Sequence, residues 1–223
     1  MASRTPSPDL SPVPLRVRPA GRLVVLLGGL ALYGTSMALM VRAELGLGPW
    51  DVLHEGAAQR LGISFGTVTA LTGAVVLLAW IPLRQRPGVG TVANIAVIAV
   101  TADIGLRLVP PATGLPGQIT LMLTGIVLNG LATATYVGTR LGPGPRDGLM
   151  TGLHLRTGAS VRMARTIVEL CVLAAGWVLG GTVGACTVLY AGAIGPLTQL
   201  FLRFTAMGQK RTGSPRDIPD TTE

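Results

Sequence analysis

The chain is poor in charge, aromatic residues, cysteine and histidine, and each shortage closes off a class of function. Asp, Glu, Lys and Arg make up 13% of its 223 residues, roughly half of what a soluble domain of this size carries. Phe, Tyr and Trp together make up 4%, so the aromatic platforms on which nucleic-acid bases stack are lacking. The net charge of +8 therefore does not point to nucleic acid. The two cysteines, Cys171 and Cys186, form no CxxC pair and no disulfide framework. Both fall in or beside apolar stretches and read as small buried hydrophobes. Two histidines are too few for a histidine-rich metal site. His54-Glu55-Gly56-Ala57-Ala58 opens like a zinc-binding HExxH but has Ala58 where the second histidine belongs. No GxSxG, Walker loop or dinucleotide fingerprint occurs. The chain is not expected to be an enzyme, and no cofactor or metal site is expected.

What the chain does have is apolar length. Hydrophobic residues reach 49%, and they gather into runs near the roughly 20 residues that a bilayer core demands. The runs predict six transmembrane helices, over about 22–42, 66–83, 88–108, 118–139, 163–180 and 184–204. The first is too long for a signal-peptide core and lacks a convincing cleavage site after it. Residues 1–21 and 205–223 read as disordered polar tails. With the N-terminus in the cytoplasm, 15 of the basic residues fall on the cytoplasmic side and 3 (Arg42, Arg60 and Arg107) outside, as the positive-inside rule requires. Both ends are then cytoplasmic.

Two stretches interrupt the apolar pattern in the same way: Gly46-Leu47-Gly48-Pro49-Trp50-Asp51-Val52-Leu53 and Gly142-Pro143-Gly144-Pro145-Arg146-Asp147-Gly148-Leu149. They are one motif met twice. At an offset of 96 residues, Gly144, Pro145, Asp147, Leu149 and Gly152 match Gly48, Pro49, Asp51, Leu53 and Gly56, and Arg156, Gly158 and Ser160 match Arg60, Gly62 and Ser64. Greasy composition alone does not supply matching Pro, Asp and Arg. An internal repeat outranks other sequence signals. The repeats are 22–108 and 118–204, joined by a linker over 109–117. Three helices per repeat is an odd number, so the second copy enters the membrane upside down, on the inverted-repeat plan of many secondary transporters. The expected fold is all-α: a polytopic membrane protein of six spans in two inverted three-helix repeats, with short broken helical segments.

The breaks supply the candidate site. Gly48 and Gly144 free the backbone, and Pro49 and Pro145 suit a helix's first turn. Asp51 and Asp147 then sit near a helix start. There a carboxylate either caps the backbone N–H groups or lines a central site for substrate, with Trp50 beside it. The segment from Asp51 to Leu61 reads as a short helix that lies on the surface or dips in as a re-entrant half-helix, which needs a protein or aqueous lining. Membrane carboxylates are costly and tend to be functional, which adds Glu169 and Asp103. Glu169 is four residues after Arg165, the spacing of a helical ion pair. Asp103 is open between pairing with Arg107, solvation and a site role. Asn94 and Asn129 read as bonds between helices, and Gly125, Gly130 and Gly176 permit either a homodimer or close packing within one chain.

The stretch GLGPWDVLHEG, followed by Gly62-Ile63-Ser64-Phe65-Gly66-Thr67 and by Ile81-Pro82-Leu83-Arg84-Gln85-Arg86-Pro87-Gly88-Val89-Gly90-Thr91, resembles the YczE/YyaS/YitT family of bacterial membrane proteins, the YczE branch in particular. The resemblance covers about 22–204. It implies an integral membrane protein of the bacterial plasma membrane and carries over no binding or catalytic residue. Two functions follow from the residues. One is a secondary-transporter-like carrier of a small molecule or ion. The other is an accessory membrane protein that supports another membrane or biosynthetic system and transports nothing. A carrier needs water-accessible polar groups at mid-membrane, whereas an accessory protein can be packed dry.

Overall fold

The computed structural model describes residues 19–205. Most of both expected tails, with Arg4, Arg16, Arg18, Lys210, Arg211 and Arg216, lies outside the described residues. Within them the chain is all-helical: α1 Pro19–Ala43, α2 Pro49–Leu61, α3 Phe65–Trp80, α4 Val89–Leu108, α5 Gly114–Gly138, α6 Pro145–Thr157, α7 Val161–Val178 and α8 Ala185–Thr205. Helix α1 begins a turn earlier than its apolar run because Arg22 is buried and donates to Thr139 O at 3.0 Å and Arg140 O at 3.2 Å.

Local chemistry sets the short elements. Helices α2 and α6 each start with proline in the first turn after a glycine N-cap in extended backbone (Gly48 ψ 154°, Gly144 ψ 157°). Each ends on a left-handed glycine, Gly62 at φ 66° and Gly158 at φ 72°, a conformation glycine adopts without strain. Two residues on, Ser64 and Ser160 restart the helix, accepting from Thr67 N and Met163 N at 3.1 Å each. The repeated Gly-x-Ser is therefore a helix–turn–helix joint.

Among the described residues, four helices are long and apolar enough to cross a membrane: Ala20–Ala43, Val89–Leu108, Gly114–Gly138 and Ala185–Thr205. Helices α2 and α3 pass the same test as one pair, bent by 116°, and would make a fifth. Helix α3, at 16 residues, falls short of the roughly 20 a straight span needs. Helix α7 has 18 residues and carries Arg162, Arg165 and Glu169. The chain is thus a polytopic all-α membrane protein. Its outer surface fits a bilayer: Val75, Val100, Ile104, Ile167, Trp177, Val188 and Phe204 all point outward. Cys171 is also exposed, on the outer face it shares with Ile167 and Leu170, while Cys186 is buried. The expectation of two buried thiols holds for Cys186 alone.

The core lies where α1 crosses α5, with α4 against α1, α8 against α5, α7 against α2 and α6 against α3. Contacts across it come in matched pairs at the 96-residue offset. A side chain at Gly29 would strike Tyr136 on α5, and one at Gly125 would strike Met40 on α1. Cys186 N donates to Leu45 O at 2.9 Å, and Gly90 N donates to Leu141 O at 3.0 Å. Arg60 Nε donates to Leu179 O at 3.2 Å, and its counterpart Arg156 donates from Nη1 to Pro82 O, one residue short of the matching position. Gly46, at φ 98°, lies against Gly184, and Gly142, at φ 127°, lies against Gly88. Among the described residues Asp103 forms no ion pair with Arg107. It accepts from Gly66 N at 2.7 Å and from Ser64 Oγ at 2.5 Å, holding the start of α3 against α4.

Candidate functional site

The two breaks meet. Between them lies a cavity of about 660 Å³, and its wall includes Gly48, Pro49, Trp50, Asp51, Gly144, Pro145, Asp147 and Glu169. The residues singled out from sequence, about a hundred positions apart, thus come together on one surface. The glycines have a geometric reason to be there. A side chain on Gly48 would run into the ring of Tyr190, and one on Gly144 would sit 3.2 Å from both the Tyr136 hydroxyl and Asp147 Oδ2.

The aspartates do not cap their helices. Neither Gly48 nor Gly144 gains a side-chain cap, and each proline already removes a first-turn N–H. The carboxylates are free for other contacts, and they differ. Asp51 is 2% exposed, with Oδ1 at 3.5 Å from both His54 Nδ1 and Arg146 Nη2. Those are ion-pair distances, long for charge-assisted hydrogen bonds of about 2.7–2.9 Å, and Oδ1 has no hydrogen-bond partner. His54 is held by Thr69 Oγ1 at 3.2 Å and packs edge-on to Phe65. Asp147, by contrast, is exposed and faces the cavity. It accepts one long hydrogen bond, from the Tyr136 hydroxyl at 3.4 Å.

Arg146 bridges the breaks. Its guanidinium lies 4.9 Å from the Trp50 ring centroid, in cation–π range, besides its approach to Asp51. At the 96-residue offset Arg146 and Trp50 are counterparts, so one contact joins equivalent positions of the two motifs. Trp80 ties the second break to α3, donating from Nε1 to Pro145 O at 3.0 Å. Thr91 donates to Pro143 O at 2.7 Å.

Glu169 sits on the same wall in an ion pair with Arg165 at 2.8 Å, the i,i+4 pair its spacing suggests. Asn129 bonds between helices: Tyr190 donates to its Oδ1 at 2.9 Å, and its Nδ2 donates to Ser36 Oγ at 2.8 Å. Gly125, Gly130 and Gly176 all pack within the chain, against Met40, Leu197 and Leu53. Sequence reasoning missed Arg146 and the tyrosines. Tyr33, Tyr136 and Tyr190 are all the tyrosines the chain has, and all three line this cavity. Their scarcity in so apolar a chain was the available signal.

Comparison with known proteins places this architecture in a family. Residues 20–203 match the model of a family of unknown function, DUF6198. An uncharacterized protein of Haemophilus influenzae is 40% identical over 182 residues, covering 82% of this chain and 84% of that one. The uncharacterized membrane protein YczE of Bacillus subtilis is 34% identical over 174 residues, covering 78% and 79%. The uncharacterized protein YyaS of the same organism is 24% identical over 178 residues, covering 78% and 89%. No solved structure matches. The chain belongs to DUF6198, and the resemblance to YczE and YyaS read from its motifs is one of homology.

Proposed function

We propose that this DUF6198 protein is a carrier of a small solute, not an enzyme, working in the bacterial plasma membrane with both termini cytoplasmic. Its six spans form two inverted repeats, 22–108 and 118–204, with polar tails on either side and a linker over 109–117. The observation that carries the reading is the cavity where the two breaks meet. An accessory membrane protein has no need of a cavity of about 660 Å³ lined by Asp147, Arg146 and Tyr136 at the crossing of its repeats. A carrier does, because irregular backbone and charge survive at membrane depth only around such a space.

The paired contacts support the inverted repeat. When residue i of one half meets residue j of the other, the counterpart of j meets the counterpart of i. A two-fold axis produces that relation, as in an isologous interface. The excess of basic residues on one side is the orientation argument. Helix α7 then spans with its charged residues toward the cavity end, and α2–α3 and α6–α7 are bent pairs entering from opposite faces.

The test is ligand-dependent stability of the purified protein against ions, amino acids, nucleobases, vitamins and sugars, since a ligand that binds the folded state alone raises the melting temperature. A stabilising solute that loses its effect in Asp147→Asn and is exchanged across proteoliposomes supports the carrier. A stabilising solute that never crosses, or no stabilisation by any of them, favours the accessory role.

A further inference from the structure

We infer that the cavity is built for a small zwitterion of the amino-acid type, its anionic group held by Arg146 and its cationic group by Asp147. The inference rests on the carrier reading and names the class of solute.

The hydrogen-bonding atoms left over on the wall are the starting point. The Trp50 indole N–H is buried and has no acceptor, although Trp50 is only 6% exposed and buried indoles usually find one. Beside it lies Arg146, whose guanidinium meets the Trp50 ring and Asp51 at ion-pair distance but, among the described residues, makes no hydrogen bond. A guanidinium offers five donors in a planar fork suited to carboxylate. A fork that lines the cavity with donors to spare calls for an anionic group. The N-terminal ends of α2 and α6, Pro49 and Pro145, lie on the same wall and add positive potential there.

The opposite requirement comes from Asp147. Its carboxylate faces the cavity with a single long bond from Tyr136. A carboxylate has room for about four acceptor interactions, so this one is available to an ammonium. The other charges on the wall are already engaged: Glu169 pairs with Arg165 at 2.8 Å, Arg140 has partners of its own, and Asp51 lies 3.5 Å from Arg146. A purely anionic solute would face the Asp147 carboxylate, and a purely cationic one would leave the spare donors of the Arg146 fork without an acceptor. A solute carrying both charges leaves neither uncompensated. The volume of about 660 Å³ falls within the range of small-molecule sites, and three tyrosine rings leave room for an apolar substituent.

The experiment compares each skeleton as zwitterion, amine and acid: L-alanine, ethylamine and propionate; L-phenylalanine, phenethylamine and 3-phenylpropionate. Melting temperature and tryptophan fluorescence of the purified full-length protein are followed with each. At least one amino acid should stabilise the protein and change its fluorescence, while the matching amine and acid do neither. Arg146→Lys, which keeps the charge and loses the fork, and Asp147→Asn should each weaken that binding by about tenfold or more. Equal or better binding of an amine or an acid would overturn the zwitterion assignment, and so would the absence of any response to both amino acids. A solute of single charge that binds and is exchanged across proteoliposomes would leave the carrier standing while sinking this inference.

Discussion

Asp51 and Asp147 stand at the same place in two copies of one motif, yet one is sealed in protein and the other opens onto the cavity. The difference comes from their neighbours. The first copy has Trp50 and His54 where the second has Arg146 and Met150. The incoming guanidinium compensates Asp51, with His54 packed beside it, so it can be buried. Methionine offers no such partner, and Asp147 stays in contact with the aqueous space. The two motifs differ accordingly: one break holds the helices together across the core, and the other presents its carboxylate to the cavity.

The packing behind the breaks is divided too. Where α2 meets α7, Val52 and Leu53 press on Gly176; where α6 meets α3, Gly148 lies under the ring of Trp80. The large and small partners have traded places at equivalent positions. A methyl group at Gly176 would sit 2.4 Å from Leu53 N, whereas one at Gly148 would meet the Trp80 side chain at 2.0 Å. Backbone cannot yield and a side chain can be replaced. Gly176→Ala should therefore cost the most stability of any change considered, about 3 kcal/mol or more, and no second substitution on α2 should rescue it. Gly148→Ala should cost about 1–3 kcal/mol and be largely restored by Trp80→Phe. Thermal unfolding in detergent reads both, and rescue of the two alike would break the distinction.

The aspartates give the next largest contrast. Asp51→Asn leaves Arg146 without its counter-charge and should destabilise by about 1–3 kcal/mol, below the full cost of a broken buried pair because Arg146 is 26% exposed. Asp147→Asn should change stability by less than about 1 kcal/mol yet weaken solute binding by about tenfold or more. Similar stability losses in both variants would erase the division of labour. Glu169→Gln should have the smallest effect, below about 0.5 kcal/mol, because it removes one partly exposed i,i+4 pair.

Much of the fold was legible because the repeat imposes it twice. The boundaries of α2 and α6 follow from Gly-Pro at one end and Gly-x-Ser at the other, and these residues act locally. The gathering of both breaks on one cavity, by contrast, depends on the crossing of α1 and α5. Gly29 and Gly125 permit that crossing, but nothing in their flanking sequence announces it. The unequal fates of Asp51 and Asp147 were not legible either, since they turn on Arg146 reaching Trp50 across nearly a hundred residues. Asp103 was misjudged for the same reason: its partners, Ser64 and Gly66, lie on another helix, and Arg107, near in sequence, is not among them. Charge counts and helix periods see along the chain, and these contacts run between chain segments.

The account stands on the two breaks entering the membrane from opposite faces, and sidedness tests that most directly. In a background of Cys171→Ser and Cys186→Ala, single cysteines are placed at the exposed positions Gln59, on α2, and Leu155, on α6, and intact cells are treated with a membrane-impermeant thiol reagent. The account predicts that Gln59→Cys reacts in intact cells and that Leu155→Cys reacts only after the membrane is opened. Reaction of both from the same side would contradict the inverted repeat and, with it, the central site.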